Sequence, residues 1–75
     1  MGFQPVKTER AYERIVAQVE GAIRSGELGV GDRLPSEREM VTTFEVSRST
    51  VREALRVLQS NGVIRLRPGD PLGPE

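Results

Sequence analysis

A chain of 75 residues can build one small domain but not two, and here the core must come from 36% apolar residues with only three aromatics, Phe3, Tyr12 and Phe44. With neither cysteine nor histidine, the composition excludes a disulfide framework, a thiolate or imidazole zinc site and most general-base chemistry near neutral pH. The formal net charge is zero but unevenly spread: residues 1–47 carry six basic and eight acidic side chains, whereas residues 48–67 carry five arginines against Glu53 alone.

Residues 1–7 have no pattern and are expected to form a flexible N-terminal arm, with Pro5 ahead of the first helix. From about Thr8 to Ser25, Tyr12, Ile15, Val16, Val19, Ala22 and Ile23 recur at the spacing of one helix face. Thr8 is the expected N-cap and Gly26 the expected C-cap. Gly21 costs this helix about 1 kcal/mol relative to alanine, so a close neighbour is expected there.

The stretch GELGVGDRLP, residues 26–35, is rich in turn residues, with Arg33-Leu34 long enough for a very short strand. Ser36, with Glu39 three residues on, is a capping box that opens a second helix. That helix turns Met40, Val41 and Phe44 inward and ends near Phe44 or Glu45. Val46 lies in the turn, and Ser47 caps a third helix running to about Ser60. Its inward positions are Val51, Ala54, Leu55 and Leu58, and Asn61-Gly62 is its stop signal. Val63 to Arg67 is β-prone, Pro68-Gly69-Asp70 is a turn, and the final PLGPE, with two prolines, makes a poor strand.

Two short helices joined by a tight turn describe a helix-turn-helix, and a strand and turn after the second helix suggest a wing. The expected fold is therefore mainly α with a small β-wing: a winged helix-turn-helix of three helices and a short antiparallel sheet over residues 8–70. Residues 71–75 would close the wing or begin a linker. No apolar run approaches a membrane span, and no signal-peptide core opens the chain. A soluble cytoplasmic domain with no cofactor, metal or membrane partner is expected.

The second helix of such a motif lies in the major groove of double-stranded DNA, its N-terminal residues meeting base edges. With one face of the third helix apolar, Arg48, Ser49, Arg52 and Arg56 face outward. Arginine can bind guanine through two hydrogen bonds, worth about 1–3 kcal/mol of discrimination. Ser47 and Thr50 have a plainer role as helix caps, and the late position of Arg56 suits a phosphate or a structural role better than a base. Arg38 stands at the second position of its helix, where a cation is electrostatically unwelcome and a phosphate contact would explain it. Arg65 and Arg67 share a strand face and could line a wing or keep an edge strand soluble. A winged helix serving as a protein-interaction module is the alternative, but it calls for an apolar outer face on the third helix. No catalytic constellation is present, and Glu20, Glu27 and Asp32 suit solubility or turn formation.

The segment LPSEREMVTTFEVSRSTVREALRVLQSNGVIRLRPGD, residues 34–70, resembles the DNA-binding domain of the GntR family of bacterial transcription regulators, and GELGVGDRLP before it fits as well. The linked elements L-P-S-E-R-E and S-R-x-T-V-R-E-A-L are far more specific than a generic helix-turn-helix, and their lettering is most similar to the FadR-type branch. The resemblance implies a winged helix binding palindromic operators as a homodimer. It implies DNA contacts from Arg38, from Ser47, Arg48, Ser49, Thr50 and Arg52, and from the wing glycine, Gly69; Arg67, two residues before it, is a further candidate DNA contact from the residue reading. It also implies a larger C-terminal domain that binds a small-molecule effector and mediates dimerisation, so these residues are expected to be the N-terminal DNA-binding part of a metabolite-responsive repressor. Two departures stand out. Glu45 occupies a turn position where the family often has glycine, at a cost of about 1 kcal/mol or more if the backbone there needs positive φ. Arg67-Pro68-Gly69-Asp70-Pro71 also replaces the second glycine of the family's wing motif.

Overall fold

The computed structural model describes residues 10–66 and 71–74, which form three helices: α1 (Ala11–Ser25), α2 (Glu37–Phe44) and α3 (Arg48–Ser60). Helix α3 packs against both α1 and α2. Its whole predicted inner face, Val51, Ala54, Leu55 and Leu58, is buried. Ile15 and Val19 of α1, Met40 of α2, and the flanking Leu34 and Ile64 complete the core. Burying a side chain such as Leu58 or Ile15 stabilises the fold by about 1.5–3 kcal/mol, so this aliphatic stripe fixes where α3 lies.

The first helix starts later than the sequence suggests. Arg10 takes the N-cap position, and its N–H donates to Glu13 Oε1 at 3.0 Å. An arginine side chain offers no acceptor to the first-turn amides, so only the returning half of a capping box forms. The expected cap, Thr8, lies outside the described residues. Gly26 ends α1 in the left-handed conformation, as expected, with φ 87°. The expected close neighbour of Gly21 is missing: a Cβ built there meets nothing within 4 Å.

Helix α2 opens on the predicted capping box. Glu39 N–H donates to Ser36 Oγ at 3.1 Å, and Ser36 N–H donates to Glu39 Oε1 at 3.4 Å. It closes on Glu45, whose φ of 56° and ψ of 50° place a side-chain-bearing residue in left-handed backbone. This is the costly geometry that the missing glycine foreshadowed. At the far end of α3, Gly62 N–H donates to the carbonyl of Gln59 and Val63 N–H to that of Leu58, both at 2.9 Å. With φ of Gly62 at 72°, this pair of bonds is a Schellman motif. It reverses the chain and delivers Ile64 to the core.

No continuous strand forms among the described residues, so the expected β-wing is reduced to two isolated antiparallel pairings, Arg33 with Leu72 and Arg65 with Leu72. The turn expected at residues 68–70 lies outside the described residues. The proline-containing return segment nevertheless pairs on both sides. Leu72 N–H donates to the Arg65 carbonyl at 2.8 Å, and Gly73 N–H donates to the Asp32 carbonyl at 2.9 Å. Pro71 and Pro74 contribute only carbonyls, which accept from Leu34 and Gly31. The missing proline donors therefore shorten the ladder without preventing it. Gly73 allows the approach, since a Cβ there would stand 2.9 Å from the Asp32 carbonyl oxygen.

Candidate nucleic-acid interface

Each cap described above also aims a helix end. Ser36 and Ser47 fix the starts of α2 and α3. The two starts border one open cleft of about 470 Å³ lined by Ser36, Glu37, Arg38, Arg48 and Arg52. Three arginines that lie as far apart as residues 38 and 52 are thus brought together. Arg38 is the second residue of α2 and Arg48 the first of α3, so both stand at positive helix ends. Unpaired first-turn amides and guanidinium groups make this a place that favours an anion.

Ser47 has the local role expected of a cap, whereas Thr50 is the residue it caps and does not itself cap a backbone amide. Thr50 N–H donates to Ser47 Oγ at 3.2 Å, and the Ser47 hydroxyl lies 2.9 Å from that of Thr50 and 3.1 Å from that of Ser49. These three hydroxyls form a small cluster at the tip of α3, with Ser49 exposed. Arg56 is exposed further along α3 and does not line the cleft. Arg67 and Gly69 lie outside the described residues.

One residue of the cleft was not anticipated. Arg52 Nε lies 3.3 Å from both Oε1 and Oε2 of Glu37, across the two helices. With Arg52 58% and Glu37 34% exposed, the pair is worth at most about 1 kcal/mol to stability. The sequence gives little warning of it, because the partners are 15 residues apart on different helices. The only hint is the acid itself at the start of α2. Among the described residues no group of acidic side chains is arranged to hold a metal ion, and no helix is long and apolar enough to cross a membrane.

The family model described as bacterial regulatory proteins, gntR family, matches residues 11–72. Among curated relatives, the HTH-type transcriptional repressor NanR of Klebsiella aerogenes is 39% identical over 67 residues, which is 89% of this chain and 26% of that protein. The chain thus spans about a quarter of the length of the curated relatives it matches. Among solved structures, YtrA from Sulfolobus acidocaldarius, a GntR-family transcription factor, superimposes with a TM-score of 0.84 at 28% identity, covering 100% of this chain and 65% of that one. AraR(DBD) in complex with operator ORR3 superimposes with a TM-score of 0.74 at 26% identity, covering 97% of this chain and 93% of that one.

Proposed function

The chain belongs to the gntR family of bacterial regulatory proteins, and from that membership we propose that it is a winged helix-turn-helix that binds double-stranded DNA sequence-specifically. Helix α3 enters the major groove. The observation that carries this reading is the convergence of Arg38, Arg48 and Arg52 on one cleft between two helix N-termini.

The roles follow from reach and chemistry. Arg48 and Arg52, at the N-terminal end of α3, meet base edges, where a bidentate contact to guanine discriminates. Arg38 approaches from α2 and contacts a phosphate or a neighbouring base. Ser47 combines its capping role with a hydroxyl contact to the DNA backbone, and Ser49 and Thr50 add short hydroxyl contacts of the same kind. Arg56 binds phosphate, contributing affinity without sequence preference. Arg67 and Gly69 are taken as further DNA contacts of this domain.

The whole regulator, of which this domain is the DNA-binding part, is a cytoplasmic repressor. It acts as a homodimer on a palindromic operator and is released by a small-molecule effector bound to a separate domain. The repressor assignment is supported by the similarity to NanR, and operator binding by the similarity to AraR, whose domain is solved on its operator. Blocking a promoter needs no chemistry from the chain, and none is assigned to it.

The test is selection from a pool of random duplex DNA at two salt concentrations. Enrichment of one sequence, with affinity falling steeply as salt rises, is the expected result. Binding without enrichment would leave phosphate contact and remove sequence reading from this domain alone. Absence of binding at low salt would overturn the proposal and favour a protein-interaction module.

A further inference from the structure

Glu37 stands where a polyanion-binding cleft has least use for a carboxylate. It lines the cleft with three arginines and is aimed at one of them. Both of its oxygens address Nε of Arg52, and the contact engages Nε alone among the guanidinium nitrogens. The two terminal nitrogens keep four N–H donors, a planar edge that matches O6 and N7 of guanine. An unrestrained arginine spreads this edge over many rotamers. A carboxylate holding Nε narrows them before the base arrives, so less freedom is lost on binding.

We propose that Glu37 is a positioning residue for base recognition: by holding Nε of Arg52 it aims the end of the guanidinium at one base, and it lowers affinity for DNA in general while sharpening the choice of sequence. This rests on the DNA-binding reading above. The two effects have one origin. The same negative charge that orients Arg52 repels every phosphate that passes, in a matched or an unmatched duplex alike. Glu37 is also the first residue of α2, where an acid suits the helix dipole. A role confined to the dipole would change melting temperature and leave base preference alone. Glu37→Asp separates the two, because it keeps the charge at that helix end and withdraws the carboxylate by one methylene.

The experiment measures affinity of the full chain for the selected duplex, for variants changed at each of its G·C pairs, and for an unrelated duplex. Wild type, Glu37→Gln, Glu37→Asp and the Glu37→Gln/Arg52→Ala pair are compared with Arg52→Ala, alongside thermal melts. Glu37→Gln is expected to bind the unrelated duplex more tightly while its preference at one G·C pair falls about tenfold. Glu37→Asp is expected to lose the same preference while its melting temperature falls by no more than the small contribution of the ion pair. In the Arg52→Ala background, Glu37→Gln is expected to alter no base preference. Full preference retained by both Glu37 variants would overturn the inference and leave Glu37 a helix-end acid. A preference change that persists without Arg52 would also overturn it, by making Glu37 a base reader in its own right. If the wild-type chain selects no sequence, the reading beneath the inference fails first, and that result is obtained before any variant is compared.

Discussion

Replacing Glu45 by glycine should stabilise this domain. Glu45 closes α2 at φ 56° and ψ 50°, where an L-residue with a Cβ is disfavoured by about 1–2 kcal/mol. Glycine removes that penalty but adds freedom to the unfolded chain, which takes back roughly 0.5–1 kcal/mol. A second gain comes from charge, because an acid at the negative end of a helix costs about 0.3–1 kcal/mol when exposed. The net expectation for Glu45→Gly is a gain of about 1 kcal/mol, which in a domain of this size raises the melting temperature by roughly 4–8 °C. The assay is a thermal melt followed by far-ultraviolet circular dichroism, with urea titration to check that the slope is unchanged. Glu45→Ala is the control: it relieves the charge and keeps the Cβ, so it should recover only a few tenths of a kcal/mol. If alanine matched glycine, or if glycine lowered the midpoint, the attribution to backbone strain would be wrong.

Gly21→Ala should stabilise α1 by about 0.5–1 kcal/mol in the same melts, because its Cβ would enter open space in a helix interior; a loss would show an unseen constraint there. Gly73→Ala should destabilise by about 1–3 kcal/mol, since its Cβ would lie 2.9 Å from a backbone oxygen that cannot swing aside; an unchanged midpoint would refute the pairing of the return segment with Asp32. Ser36→Ala should cost about 1 kcal/mol through loss of the cap on Glu39 N–H, read as a lower urea midpoint at constant slope. On DNA, Arg48→Ala should relax preference at particular base pairs, whereas Arg56→Ala should weaken all duplexes evenly and reduce the salt slope by about one. An even loss from Arg48→Ala would remove it from the base-reading set.

The features legible in the sequence were those written in local spacing. The inner face of α3 follows from Val51, Ala54, Leu55 and Leu58, and all four are buried. The caps at Ser36 and Ser47 follow from short side chains placed before a helical pattern, and both accept the expected amide. What could not be read depends on parts of the chain meeting in space. The α1 start moved because the Arg10 amide finds Glu13, an exchange that needs no capping hydroxyl. The return segment pairs because its register assigns every required N–H to Leu72 and Gly73, which proline counts do not reveal. Arg38, Arg48 and Arg52 could be singled out one by one as outward cations. Their meeting in one cleft with Glu37 required the relative placement of α2 and α3, which periodicity within either helix does not contain.

The division of α3 into a buried stripe and an exposed one has an evolutionary meaning. Ser49, Arg56 and Gln59 are exposed and absent from the core, so selection is free to rewrite them without risking the fold. Such a surface lets related regulators drift to new targets one residue at a time. Position 52 is the exception, because its side chain is tied to a residue of α2. A lineage that abandons arginine at 52 leaves the acid at 37 without its partner, and one that neutralises 37 leaves the arginine unaimed. The two positions should therefore change as a pair across descendants of this domain, while their neighbours on the same outer face vary independently.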